Sequence, residues 1–191
     1  MKVFIPSTAV NHEAQGRSGN FGVVGFYAKK CAENGWVCIA EDTNLGRKNH
    51  NMDFVRMLSK LREEWPGFKN AEFAVGGFSG GGKACWWDAA YLIREDYKVI
   101  GAMLSGVNAD LSMAAREDFK APKGPYKDIR VHLSNGRWDE LADGSKQDMM
   151  EKSLNKNGMR KIKKTFHDGK HNLEVNQIPI ALEFFTSDVD E

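Results

Sequence analysis

The stretch VGGFSGGGKACWWDAA, Val75 to Ala90, admits two chemical readings. As G-x-S-x-G it spans Gly77 to Gly81 and presents Ser79 as a nucleophile. As G-x-x-x-x-G-K it spans Gly77 to Lys83 and resembles a phosphate-cradling loop. Both readings need an apolar strand that enters a glycine turn and leaves as a helix. The flanking residues supply that setting, since AEFAVGGF is strand-like and KACWWDAAYLIRE is helix-like.

Two residues separate the readings. A phosphate loop places Ser or Thr after its lysine to hold magnesium, and this chain has Ala84. An acidic residue at a strand end, Asp42, is available to such a site, but the missing hydroxyl removes a metal ligand. For the nucleophile, Gly80, Gly81 and Gly82 open a helix although each costs up to about 1 kcal/mol relative to Ala. Preference broken at this density marks a close backbone approach. Absent Cβ atoms at Gly77 and Gly81 let strand and helix meet, and the Gly80 N–H faces the place where an oxyanion forms.

The surrounding chain alternates strand and helix. KVFIP (Lys2–Pro6), WVCIAED (Trp36–Asp42), AEFAVGGF, KVIGAMLSG (Lys98–Gly106), IRVHLSNG (Ile129–Gly136) and RKIKKTF (Arg160–Phe166) read as six strands. Helical spacing covers 21–35, 52–67, 83–95, 145–158 and 173–185, and a short helix is predicted between Asn108 and Lys127. In the second of these, Phe54, Leu58, Leu61 and Trp65 share one face. The alternation predicts an α/β fold, a three-layer α/β/α sandwich around a mostly parallel six-stranded sheet, in one domain over residues 1–191. In such sheets the working residues lie beyond the carboxyl ends of the strands.

That rule locates partners for Ser79. Asp139 and Asp143 follow the strand ending near Asn135, and His167 and His171 follow the last strand. Ser, Asp and His thus occur in the order a nucleophile, orienting acid and base require. His167 and His171 also flank Asp168, but the intervening Gly169 indicates a loop and no third metal ligand is evident, so no metal or other cofactor is expected. Trp86 and Trp87 diverge by about 100° on a helix, and core packing is expected for both. Trp138 either lines a leaving-group pocket or anchors the Asp139 loop.

On these residues the sequence resembles the α/β-hydrolase superfamily, in its minimal form. The nearest likeness is to small esterases of the dienelactone hydrolase, phospholipase/carboxylesterase and polyhydroxybutyrate-depolymerase-like groups. It extends from Val3 to about Phe185. The resemblance implies Ser79 as nucleophile, Asp139 as acid through the GRWD turn, and His171 as base through HDGKH. It implies strand order 4-3-5-6-7-8 in the family's naming, with the first two antiparallel strands missing. Members usually carry His-Gly after the first strand retained here. This chain has FIPSTAV, which assigns the second oxyanion donor, beside Gly80, to Ser7 or Thr8, with Thr8 preferred. The cap between Gly106 and Lys127 is short, implying an open site for short or surface-presented esters.

The implied activity is ester hydrolysis on a small-molecule or polymer substrate. The alternative is a binding protein on the same fold whose oxyanion hole has decayed. Charge is balanced, 27 basic against 26 acidic residues, so nothing draws the chain to nucleic acid. The basic run KNGMRKIKKTFHDGK is expected to protect a sheet-edge strand. No apolar run reaches the ~20 residues of a membrane span, and Lys2–Pro6 is too short for the core of a signal peptide. Cys31, Cys38 and Cys85 form no C-x-x-C pair and are expected as free thiols in a reducing, cytoplasmic compartment.

Overall fold

The computed structural model describes residues 1–7, 23–40 and 47–187, with side chains in the second helix from Phe54 onward. Six strands, β1 (Lys2–Pro6), β2 (Val37–Cys38), β3 (Glu72–Phe78), β4 (Lys98–Ser105), β5 (Arg130–Gly136) and β6 (Lys161–His167), form one sheet. Its order is β2-β1-β3-β4-β5-β6, which is the predicted order. Every pairing is parallel. Among the described residues five helices connect the strands, α1 (Val23–Glu33), α2 (Arg47–Glu64), α3 (Gly80–Arg94), α4 (Ser112–Phe119) and α5 (Gly144–Lys156), and α6 (Gln177–Thr186) follows β6.

Strand alternation sorts the side chains into two apolar layers. Val3, Ile5, Phe73, Val75, Ala102, Leu104, Val131 and Leu133 point to the layer shared with α2, α3, α4 and α5. Phe4, Ala74 and Met103 point to the layer shared with α1 and α6. The central strands are buried on both faces, which is why their sequences read as continuous apolar runs. At Gly101 a Cβ would lie 2.3 Å from the Phe185 ring, so this glycine lets α6 settle on the sheet.

Three elements differ from expectation, one of them α6, which begins at Gln177 and not at Leu173. β2 is much shorter than Trp36–Asp42. It pairs only with β1, through Val3↔Val37 and Phe4↔Cys38. As an edge strand it is held on one side, and the expected end at Asp42 falls outside the described residues. α2 begins at Arg47, not near Met52. Its expected face is present: Phe54 and Leu58 are buried, and Leu61 and Trp65 pack against the core. β6 is the opposite edge. There Lys164 pairs with Asp148 and Glu151 of α5, and the lysine-rich strand presents charge where strand addition would otherwise occur. Cys31, Cys38 and Cys85 are free thiols. Among the described residues no helix is long and apolar enough to cross a membrane.

On β5, His132 is fully buried. Its Nε2 lies 3.1 Å from Thr165 Oγ1, which itself donates to Gln177 Oε1 of α6 at 2.6 Å. Burial, aided by the nearby Lys163 charge, pushes His132 down from 6.5 to about 4. Between these two values the unfolded chain takes up a proton that the folded chain refuses. Stability is therefore complete above about pH 6.5 and falls as the pH drops toward 4, by roughly 3 kcal/mol. Urea titrations of the wild type and His132→Gln between pH 7 and 4.5 should show this slope flattened in the variant. An unchanged slope would remove His132 as its source.

Candidate active site

The site begins with the turn between β3 and α3. Ser79 sits at φ 53°, ψ −118°, a conformation that side-chain-bearing residues seldom adopt. Strain of this kind costs on the order of 1–3 kcal/mol and survives only where the surroundings impose it. Here they do. A Cβ at Gly77 would lie 2.5 Å from Ser7 O, 2.6 Å from the Gly81 carbonyl carbon and 2.8 Å from Gly82 N. A Cβ at Gly82 would lie 2.8 Å from Gly77 O and 2.5 Å from the Val107 side chain. Strand and helix therefore touch backbone to backbone, and the contact expected at Gly77 and Gly81 also takes in Gly82. The Ser79 amide continues the sheet, donating to Ser105 O at 2.8 Å.

This geometry bears on the two readings of the opening stretch. Gly80, Gly81 and Gly82 are already helical, and the Gly77–Gly82 contact leaves no open loop to encircle a phosphate. Lys83 lies in the first turn, its amide donating to Ser79 O at 3.2 Å. Its side chain makes no hydrogen bond or ion pair with any described residue. Gly80, first in the helix, has an amide that the helix itself does not use.

The three side chains expected to meet do so. His171 Nε2 is 2.9 Å from Ser79 Oγ, and His171 Nδ1 is 2.9 Å from Asp139 Oδ2. Asp139 is buried, and its Oδ1 accepts from the amides of Leu141 and Ala142, each at 2.9 Å. With Asp139 accepting at every contact, the matching imidazole carries its proton on Nδ1 and offers a lone pair on Nε2 to the serine hydroxyl.

Two loops bring these groups together. Beyond the last paired residues, Gly136 and His167, Arg137 N donates to His167 O and Trp138 N to Gly169 O, both at 2.9 Å. A Cβ on Gly136 would lie 2.3 Å from Lys170 O and 2.4 Å from Gly169 O. The acid loop and the histidine loop are thus joined backbone to backbone. Asn135 Nδ2 donates to Ala142 O at 2.6 Å and braces the acid loop from beneath. Gly106, at φ +59°, leaves room for the Phe78 and His171 rings, which stand 4.8 Å apart.

The paired candidates separate for physical reasons. Asp143 is the N-cap of α5, its carboxylate accepting from Lys146 N and Ser145 Oγ. Those bonds hold the Asp143 carboxyl below its ordinary value. His167 is the last residue of β6 and is buried, and neither of its ring nitrogens hydrogen-bonds Ser79 or any other described residue. Trp138 is 67% exposed, so the loop is anchored by its amide and not by its ring. Trp86 is buried against Tyr126, and Trp87 donates to Asp118 of α4. Ser7 N donates to Gly76 O at 2.7 Å, so this amide is spent in the sheet and cannot serve as an oxyanion donor. Thr8 lies outside the described residues. Among the described residues no cluster of His, Cys, Asp and Glu could hold a metal ion.

One contact was not anticipated. Ser7 Oγ donates to Asp88 Oδ2, a buried carboxyl group on α3. The signal was present in the sequence, because Asp88 interrupts an apolar helix face that runs from Cys85 through Ala89 to Leu92.

No family model matches the sequence, and no curated protein matches it. Solved structures do. An esterase from Pyrococcus furiosus is 14% identical, aligns over 95% of this chain and 77% of its own, and has a TM-score of 0.57. Acyl-protein thioesterase 2 from Zea mays is 13% identical over 96% and 92%, with a TM-score of 0.58. A variant of SOBER1 from Arabidopsis thaliana is 11% identical over 96% of both chains, with a TM-score of 0.59. The chain has the α/β-hydrolase fold.

The division between the two aspartates gives a direct check. Asp143→Ala removes a helix cap and should lower stability by about 1 kcal/mol, read as a shifted urea midpoint. Reactivity of Ser79 toward a fluorophosphonate should be unchanged per folded molecule. Asp139→Ala should slow that reaction by orders of magnitude. The reverse pattern would exchange the two assignments.

Proposed function

We propose that the protein is a serine hydrolase that cleaves carboxylic esters through an acyl-enzyme. The observation that carries this reading is the hydrogen-bonded chain Ser79–His171–Asp139, set on a strained turn at the carboxyl edge of the sheet. Likeness in fold to an esterase and a thioesterase supports it.

The steps follow from the geometry. Ser79 Oγ attacks the ester carbonyl carbon while His171 Nε2 accepts the hydroxyl proton. Asp139 keeps the imidazole in the required tautomer and stabilises the imidazolium. The carbonyl oxygen becomes an oxyanion held by the Gly80 N–H and by a second backbone donor, assigned to Thr8. Collapse breaks the bond to the alcohol oxygen, which leaves with the proton from His171. Water then enters, gives a proton to His171, and attacks the acyl carbon. A second oxyanion forms and collapses, releasing the acid and restoring Ser79. The short cap that the resemblance implies suits short or surface-presented acyl groups.

Ser79→Ala should abolish both 4-nitrophenyl acetate hydrolysis and fluorophosphonate labelling while leaving the thermal transition in place. Labelling that persists in the folded variant would overturn the assignment. A wild-type protein that takes no label would favour a binding role on the same fold. Lys83→Ala should leave ester turnover within a few-fold, because no step uses that side chain. Loss of turnover there, or nucleotide binding that the variant abolishes, would restore the phosphate reading.

A further inference from the structure

Ser7 is held against the nucleophile turn at three points. Its amide donates to Gly76 O at 2.7 Å. Its carbonyl oxygen lies against Gly77, where a Cβ would come within 2.5 Å. Its hydroxyl donates to Asp88 Oδ2. Both residues are buried, Ser7 at 3% and Asp88 at 2% exposure.

A carboxyl group in this position is costly. Asp88 sits among Cys85, Trp86 and Ala89 in the apolar layer beneath the sheet, where a buried polar group without a partner is strongly unfavourable. β1 is already paired with β3 from Lys2↔Glu72 through Pro6↔Gly76, and an alanine at 88 would extend the helix more favourably. What Ser7 and Asp88 add is a tether one residue past the last paired position. That tether runs to the helix whose first turn carries Gly80. One buried contact thus joins the end of β1 to the helix that carries the nucleophile turn and Gly80, the first oxyanion donor.

We propose that Ser7 and Asp88 are a positioning pair that fixes the carboxyl end of β1 on the nucleophile turn and thereby sets the efficiency of oxyanion stabilisation. The inference rests on the serine hydrolase reading above. Neither residue touches the reacting atoms. The pair acts by holding the end of β1, the nucleophile turn and the first turn of α3 in one arrangement, and a hydroxyl donating into a carboxyl group is a directional link suited to that task.

The test uses the full chain and the variants Ser7→Ala, Ser7→Thr, Asp88→Ala and the double alanine variant. Steady-state kinetics with 4-nitrophenyl acetate give kcat and KM. The inhibition constant of an alkyl trifluoromethyl ketone, which forms a hemiketal oxyanion on the serine, reports the oxyanion site directly. Removing a whole donor costs about 100- to 1,000-fold. Displacing one should lower kcat by about tenfold or more in Ser7→Ala, with KM nearly unchanged and ketone binding weakened by a similar factor. Ser7→Thr, which keeps the hydroxyl, should recover both. Asp88→Ala should lower kcat and ketone affinity at least as much as Ser7→Ala, and the double variant should be no worse than Asp88→Ala, since coupled residues are not additive.

A lowered melting temperature with wild-type kcat and ketone affinity would make the contact merely structural and overturn the proposal. If the alanine variants do not fold, Ser7→Cys, which keeps the shape but donates only weakly, replaces them: a lowered kcat together with weakened ketone binding supports the pair, and any other result contradicts it. A wild type that binds no ketone and cleaves no ester removes the hydrolase reading, and this role with it. A fully active wild type with an equally active Ser7→Ala variant removes this role alone.

Discussion

The contact between the backbones of Gly77 and Gly82 is the constraint on which the site depends. It closes the turn between β3 and α3 so tightly that Ser79 is forced to positive φ. A side chain at either glycine would push strand and helix apart and let the serine relax. The same contact presses Ser7 onto the turn from the neighbouring strand and Val107 onto it from the loop after β4. The strain at Ser79 is therefore maintained by the sheet as a whole, through buried β1, β3 and β4 packed on α3. That is the arrangement in which an unfavourable local conformation can persist.

A second set of contacts makes the histidine as well defined as the serine. His171 lies in a loop, and a loop alone would not hold a ring to a few tenths of an ångström. The pairing of β5 with β6 continues past both strands, through the amides of Arg137 and Trp138. The close approach of Gly136 to the Gly169 and Lys170 carbonyls locks the two loops together. Asp139 then satisfies its two oxygens from opposite sides, one on the ring and one on its own loop amides. The ring is positioned by backbone, and the surface ion pair Arg137–Asp168 nearby is too exposed to contribute much.

Much of this was legible in the sequence because it rests on local patterns. Six apolar runs separated by helical periodicity gave the sheet, and the glycine-flanked Ser79 gave the turn. The choice of Asp139 over Asp143 needed more than chain order. Its physical basis is that Asp143 precedes Gly144-Ser145-Lys146 as a helix cap, a duty that consumes its oxygens. The choice of His171 over His167 rests on the resemblance of the HDGKH turn, because local pattern does not say where β6 ends, and strand ends are set by pairing partners. The same reason explains the short β2, an edge strand whose length depends on β1. The Ser7–Asp88 contact joins residues 81 apart, and no local pattern could pair them. Only the odd placement of an aspartate in an apolar helix hinted at a partner.

The central claim is that Ser79 becomes covalently acylated. Acid quenching within milliseconds of mixing with 4-nitrophenyl acetate, followed by peptide mapping, tests it most directly. The expected result is one acetyl group per chain on the peptide that contains Ser79, with release of nitrophenol in equal amount. Ester cleavage accompanied by acetylation of a different side chain, or by no covalent adduct under any quench condition, would contradict it.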